Sequence, residues 1–162
     1  MTNLVISNTC NQKCPYCFAE DYFQAKADDA SRFITLETFK SRLDFLDRSG
    51  MDEVRLIGGE PSLHPKLPDL IRLSRARGKR ILLFTNGFLR EKVLSCLESL
   101  SPEECTVLIN MNTSGRAGTR KNSEALRKKA LQRLGPRALL GFNIYQINFD
   151  LSPLLEIIQN NK

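Results

Sequence analysis

The chain has 162 residues, 41% of them hydrophobic and 26% charged, with a formal charge of +6 and five cysteines. That is the make-up of one soluble globular domain with a core of its own, and no apolar run approaches the ~20 residues that cross a bilayer. The N-terminus has no basic stretch leading into a long apolar one, so the sequence reads as cytoplasmic; thiols stay reduced there, and an odd cysteine count points to a metal or catalytic site rather than a disulfide framework.

Leu4–Ile6 is a short aliphatic run and predicts the first strand. TCNQKCPYCF (Thr9–Phe18) follows, with Cys10, Cys14 and Cys17 spaced C-x3-C-x2-C. Thiolates so placed can wrap a cluster of irons within one loop. Three ligands leave one iron of a 4Fe–4S cluster with an open position, where a substrate or cofactor binds. Pro15 stiffens the loop, and Tyr16 and Phe18 put aromatic surface beside it. The other reading of these residues is a structural zinc with His64 or a distant cysteine as fourth ligand, although zinc loops more often pair two C-x2-C elements.

Downstream, Thr35 is placed to cap a helix with Leu36, Phe39, Leu43 and Leu46 on one face, closed by Gly50. Val54–Ile57 predicts the second strand, followed by GGEP (Gly58–Pro61). Two glycines let a backbone come close to a ligand, and Glu60 adds an acceptor for an ammonium group. His64, in GGEPSLHP, reads as a turn-packing residue. Gly78 closes the next helix, Ile81–Phe84 is the third strand, and TNG (Thr85–Gly87) follows it. The third helix sets Val93, Leu94, Cys96 and Leu97 on a core face, and Ser101-Pro102-Glu103-Glu104 has the pattern of a capping box. Cys105 opens the fourth strand, Val107–Ile109, as a buried residue, and NMN (Asn110–Asn112) follows.

Much of the positive charge lies in Arg116, Arg120, Lys121, Arg127, Lys128, Lys129, Arg133 and Arg137. This run can attract phosphate or carboxylate, or it is a solvated helix face. Gly135 caps it, Ala138–Ile144 is the fifth strand, and Ser152-Pro153 opens a last helix with Ser as N-cap.

Short apolar strands alternating with amphipathic segments predict an α/β fold, one domain over residues 1–162, with parallel strands and right-handed crossovers. A closed eight-stranded barrel needs ~250 residues, so five βα units form a partial (β/α) barrel or an open sheet. TCNQKCPYCF, GGEP, TNG and NMN all follow strands and share one phase. Parallel α/β folds place their sites at the strands' carboxyl ends, so the four stretches meet at one rim.

The cysteine spacing, the aromatic before the third cysteine, and GGEP after the second strand resemble the radical S-adenosylmethionine (SAM) superfamily, over essentially the whole chain. The resemblance implies that Cys10, Cys14 and Cys17 hold a 4Fe–4S cluster and that SAM binds the fourth iron. It implies that Gly58, Gly59 and Glu60 hold the methionine amino group and that Tyr16 and Phe18 flank the adenine. Thr85, Asn86 and Asn112 would face the sulfonium or ribose, Asn143 on strand five would complete the SAM pocket, and Arg120 would pair the methionine carboxylate. The implied chemistry is reductive: an external one-electron donor such as flavodoxin or ferredoxin reduces the cluster, and SAM is cleaved to methionine and a 5′-deoxyadenosyl radical. The family core has six βα units; a chain with five implies an incomplete core lacking one wall of the pocket.

Two other classes compete: an iron–sulfur electron-transfer module without SAM chemistry, and a zinc-stabilised nucleic-acid-binding domain using the basic helix. GGEP in phase with the cysteines favours the SAM reading over the first. The scarcity of aromatics among the basic residues disfavours the second, so nucleic acid is a possible but not a favoured partner. The substrate class (peptide, cofactor precursor or nucleic acid) is not read from these motifs.

Overall fold

The computed structural model describes residues 2–19, 32–112 and 123–159. Five strands, β1 (Asn3–Ser7), β2 (Glu53–Gly58), β3 (Arg80–Thr85), β4 (Cys105–Asn110) and β5 (Ala138–Gly141), form one parallel sheet in the order β1-β2-β3-β4-β5. Helices α1 (Leu36–Arg48), α2 (Leu67–Ala76), α3 (Glu91–Glu98) and α4 (Ser123–Leu134) follow the first four strands in turn, and α5 (Ser152–Gln159) follows β5. Neighbours in sequence are neighbours in the sheet, which is the order of a (β/α) barrel; a doubly wound sheet reverses direction at its centre. The sheet is open, with β1 and β5 at its edges.

Right-handed crossovers in sequential order put the helices on one face. Parallel register aligns Leu4, Leu56, Leu83, Val107 and Ala138 in one row across the sheet. Leu4, Leu56, Leu83 and Val107 share a core with Phe39, Leu43 and Leu46 of α1, and with Leu94, Leu97, Ala130 and Leu134 of α3 and α4. Parallel strands with helices on both faces are buried throughout. Here burial alternates, because helices cover one face only: Val5 on the other face is 40% exposed, and Arg80 there donates to Thr106 and pairs with Glu53.

The local signals act as expected. Thr35 Oγ1 accepts from Thr38 N at 3.1 Å, and Gly50, Gly78 and Gly135 take positive φ of 65°, 69° and 53° at helix ends. Ser101 N donates to Glu104 Oε2 while Glu104 N donates to Ser101 Oγ, a reciprocal box on the turn before β4. Cys105 is fully buried and Cys96 packs at the edge of the core. Among the described residues no helix is long and apolar enough to cross a membrane.

Two boundaries need correction. β5 ends at Gly141, not at Ile144, because its partner β4 ends at Asn110 and the last pair is Asn110 with Gly141. Asn143 therefore lies beyond the strand. The last helix already includes Ser152, and the side chain accepting at its start is that of Asp150, whose Oδ1 takes Ser152 N at 2.9 Å.

Candidate active site

The rim forms where β1 and β2 end. The β1–β2 register shifts between Val5 and Ser7, so β1 bulges just before the cysteine loop. Bulges re-aim a strand end, and this one turns the chain along GGEP. Gly59 N donates to Ser7 O at 2.8 Å, and Glu60 N to Thr9 O at 2.7 Å. A Cβ on Gly59 would lie 2.6 Å from the Thr9 carbonyl carbon and 3.0 Å from Cys10 N; one on Gly58 would clash with Ser7 O. The glycine pair is therefore required where the chain leaves the sheet toward Cys10. Ser7 Oγ donates to Thr9 O at 3.0 Å and fixes the same bend.

Glu60 points inward and is 1% exposed. Its Oε1 accepts from Ser62 N at 3.0 Å and from Thr85 Oγ1 at 2.7 Å; its Oε2 accepts from Asn86 N at 2.8 Å. Burial pushes its pKa up, and these donors pull against that shift. TNG is thus bound to GGEP through one carboxylate. Asn86 then reaches the cysteine loop, its Nδ2 donating to Asn11 Oδ1 at 2.7 Å. Its Oδ1 accepts Phe88 N.

Asn112 is 2% exposed. Its side-chain amide binds the Asn143 backbone at both atoms: Nδ2 donates to Asn143 O at 2.9 Å, and Oδ1 accepts Asn143 N at 2.8 Å. Asn143 itself is exposed and meets the site through its backbone. Tyr16 OH donates to Asn110 Oδ1 at 3.0 Å, and its ring lies against Tyr145 with centroids 5.1 Å apart; Tyr145 in turn meets Phe149 edge-on. The Tyr16 hydroxyl is pushed to a higher pKa, first by burial and then by Cys14.

Cys10 and Cys17 are exposed and Cys14 is half-buried; all three are free thiols. Among the described residues no three His, Cys, Asp or Glu side chains already converge on one metal-sized point. The donors nevertheless fit an iron–sulfur cluster. Gln12 N lies 3.4 Å from Cys10 Sγ, an amide-to-sulfur hydrogen bond of the kind that stabilises a ligand thiolate. Gln12 Nε2 is buried without a hydrogen-bond partner, so a donor stands ready inside the loop. Cys10 keeps an accessible surface, yet desolvation on its inner side, with Glu60 and the other two thiols close by, pushes its thiol up to about 11. Metal binding therefore displaces a proton. The zinc reading loses its candidate fourth ligands. His64 is buried, with Nε2 at 3.0 Å from Ile34 O and Nδ1 accepting Lys66 N, so both ring nitrogens are in use. Cys105 lies at the opposite end of the strands, and Cys96 packs at the core.

The rim thus unites Cys10, Cys14, Cys17, Tyr16, Gly58, Gly59, Glu60, Thr85, Asn86 and Asn112. Phe18 is not drawn in; its ring is 91% exposed. Arg120, with Arg116 and Lys121, lies outside the described residues. Within the basic run, Lys129 and Arg133 pair with Glu91, and Arg133 also pairs with Glu98, so α3 neutralises much of that face.

One member of the run is different: Arg127 is 5% exposed. Its Nε donates to Asn86 O and its Nη1 to Asn112 O, both at 3.1 Å, and its guanidinium lies 5.2 Å from the centre of the Phe88 ring. Sequence reasoning missed it, although Arg127, Ala130 and Leu134 stand at i, i+3 and i+7 and share the buried face of α4. It also missed Asn11 and Tyr145, which meet the rim through Asn86 and Tyr16, partners distant in sequence.

The family model described as "Radical SAM superfamily" matches residues 4–135, which include the cysteine loop, GGEP, TNG and NMN. The chain is 31% identical over 96 residues to a GTP 3′,8-cyclase of Chlorobaculum tepidum, covering 58% of this chain and 28% of that protein. It is 35% identical over 88 residues to an S-adenosylmethionine-dependent nucleotide dehydratase of Selenomonas ruminantium (54% and 30%). It is also 31% identical over 90 residues to an Fe-coproporphyrin III synthase of Methanosarcina barkeri (56% and 22%). The chain thus spans less than a third of the length of these curated relatives. In fold, it is similar to the crystal structure of archaeal TYW1, with a TM-score of 0.51 and 18% identity over 77% of this chain and 48% of that one.

Proposed function

Because the chain belongs to the radical SAM superfamily, we propose that it is a radical SAM enzyme core, holding a 4Fe–4S cluster on Cys10, Cys14 and Cys17 and cleaving SAM reductively. The observation that carries this reading is the join between the cysteine loop and GGEP: Gly59 N to Ser7 O and Glu60 N to Thr9 O put the thiols and the glycine turn at one rim. When bound, such a cluster supplies one electron to the sulfonium, and the broken S–C5′ bond yields methionine and a 5′-deoxyadenosyl radical that takes hydrogen from a substrate.

The chain's own residues bind and orient. Cys10, Cys14 and Cys17 would hold the cluster by their thiols, and SAM would bind to it through its amino and carboxylate groups. The N–H groups of Gly59 and Glu60 are already engaged, and the Glu60 carboxylate is enclosed. The acceptors this turn offers to the methionine ammonium are therefore backbone carbonyls, with Glu60 holding the turn in shape. Tyr16 supplies the aromatic wall for adenine, and Phe18, standing free of the rim, closes over it. Thr85, Asn86, Asn112 and Asn143 form the wall toward the ribose and sulfonium. An external one-electron donor such as a flavodoxin or ferredoxin reaches the cluster across the exposed loop, where Lys13 and Phe18 face solvent. The relatives' names speak of GTP, of nucleotides and of a porphyrin, so the reading commits to hydrogen abstraction and not to one of these substrates.

The test is anaerobic reconstitution with iron and sulfide, addition of dithionite and SAM, and assay of 5′-deoxyadenosine, with Cys14→Ala alongside. Product from the parent and none from the variant is the expected result. A cluster without product would move the same assay to a longer chain that supplies a sixth βα unit, and product still absent there would favour the electron-transfer reading. Zinc retained in place of iron would overturn both.

A further inference from the structure

Asn86 and Asn112 stand after adjacent central strands, and each commits its side chain to a different flap of the rim. Asn86 holds the cysteine loop through Asn11 at 2.7 Å. Asn112 holds the segment beyond β5 through both backbone atoms of Asn143. The flaps then touch each other, Tyr16 against Tyr145. The carbonyls of the same two asparagines converge on one buried guanidinium, that of Arg127. Contacts therefore run in a closed ring: cysteine loop, Asn86, Arg127, Asn112, Asn143, Tyr145, and back to the cysteine loop at Tyr16.

We infer that Arg127 is a positioning residue for the cysteine loop, acting through Asn86 and Asn112 as the strut that spaces them. A guanidinium is planar, so its Nε and Nη1 donors keep a fixed separation and impose it on two carbonyls; an ammonium meets each of its acceptors as a point. The strut is anchored at its outer side by Phe88, and at Gly87 an added Cβ would lie 3.0 Å from Arg127 Cγ, so TNG and α4 are fitted closely. Without the guanidinium the buried Asn112 carbonyl and the partly buried Asn86 carbonyl lose this donor, and the freedom gained by Asn86 and Asn112 passes to Asn11 and Asn143. This inference rests on the proposed function only for its consequence, that the loop is held ready for a cluster. The ring itself belongs to the metal-free chain.

The experiment is hydrogen exchange on the full metal-free chain, followed by mass spectrometry of segments 10–17, 142–149 and 53–58. Arg127→Met is expected to raise exchange at both flaps by about tenfold and to leave β2 unchanged. Asn86→Ala raises it at 10–17 alone. Arg127→Lys, which keeps the charge but not the fork, protects the flaps less than the parent does. Leu134→Ala, on the same helix and fully buried, loosens β2 along with everything else and marks plain destabilisation. After reconstitution, Arg127→Met loses iron to a chelator about tenfold faster than the parent. Unchanged exchange at 10–17 in folded Arg127→Met would overturn the inference. If that variant does not fold, unchanged exchange at 10–17 in both Arg127→Lys and Asn86→Ala would do so. A parent that takes up no iron–sulfur cluster would sink the proposed function, while the exchange result still decides the strut.

Discussion

Glu60→Gln separates two uses of the most enclosed carboxylate among the described residues. If Glu60 is kept for a ligand, the exchange removes a buried charge and leaves the metal-free protein as stable as before, or more so. If Glu60 is the internal tie between GGEP and TNG, the exchange is harmful. Three donors face its oxygens: Ser62 N and Thr85 Oγ1 at Oε1, and Asn86 N at Oε2. A Gln amide offers one oxygen. Its better orientation keeps that oxygen at Oε1 and sets an NH2 against Asn86 N–H, where 2.8 Å separated donor from acceptor. Flipping the amide sets NH2 against two donors, and Thr85 Oγ1 already accepts Gly87 N at 3.1 Å.

The loss is one hydrogen bond to a charged acceptor, ~1.5–3 kcal/mol, plus an unsatisfied buried N–H of ~1–3 kcal/mol. Relief of desolvation works the other way, because burial already pushes the Glu60 pKa up and the neutral amide escapes that penalty. A net destabilisation of ~2 kcal/mol is expected, which for a domain of this size lowers Tm by ~4–8 °C. Thermal unfolding of the metal-free chain, followed by far-ultraviolet circular dichroism, measures it. An unchanged or raised Tm would refute the argument and return the carboxylate to the ligand.

Two further perturbations test the join and the fold beneath it. Gly59→Ala puts a Cβ 2.6 Å from the Thr9 carbonyl carbon; backbone lines that contact, so the strand end gives way at a cost of ~1–3 kcal/mol. Alkylation of Cys10 in the metal-free chain, read by mass spectrometry, should then be faster and iron uptake lower; an alkylation rate equal to the parent's would show the clash to be harmless. For His64, burial first of all holds the pKa below its ordinary 6.5, and Nδ1 must stay unprotonated to accept Lys66 N. The unfolded chain therefore takes up a proton at a higher pH than the fold does, so this contribution to stability is complete above pH 6.5 and is lost as pH falls below it. Denaturant midpoints measured from pH 8 down to pH 5 should decline in the parent and decline less in His64→Gln; parallel curves would refute the assignment.

The strands were legible because their signal is local. Leu4, Val54, Ile81 and Val107 lie in short aliphatic runs bounded by polar stretches, and a common phase placed TCNQKCPYCF, GGEP, TNG and NMN at one rim without knowledge of any contact. The end of β5 was not legible, because Ala138–Ile144 is apolar enough to continue and what stops it is the length of its neighbour. Arg127 was hidden by composition: in a run of eight basic residues its charge looked like its neighbours', while its burial depends on two carbonyls brought in from other loops. Asn143 was expected as a strand side chain, whereas it lies beyond β5 and meets Asn112 through its backbone.

The motif residues divide by exposure, and the division has a physical cause. Glu60, Thr85, Asn112 and Arg127 are all at or below 5% exposure. At such depth a polar group left waiting for a ligand would be unsatisfied whenever the ligand is absent. These side chains are accordingly bound within the protein, Glu60 to Thr85, Asn112 to the Asn143 backbone and Arg127 to the carbonyls of Asn86 and Asn112, and what they supply is shape. The groups that can wait are in the cysteine loop, where Cys10 and Cys17 are exposed. A rigid polar frame therefore carries the cysteine loop at its edge, which is how a scaffold sets geometry without competing for a ligand. It follows that frame variants such as Glu60→Gln and Arg127→Met change the metal-free protein, while Cys17→Ala, at an exposed thiol, leaves the metal-free fold as it was and is felt only once iron and sulfide are added.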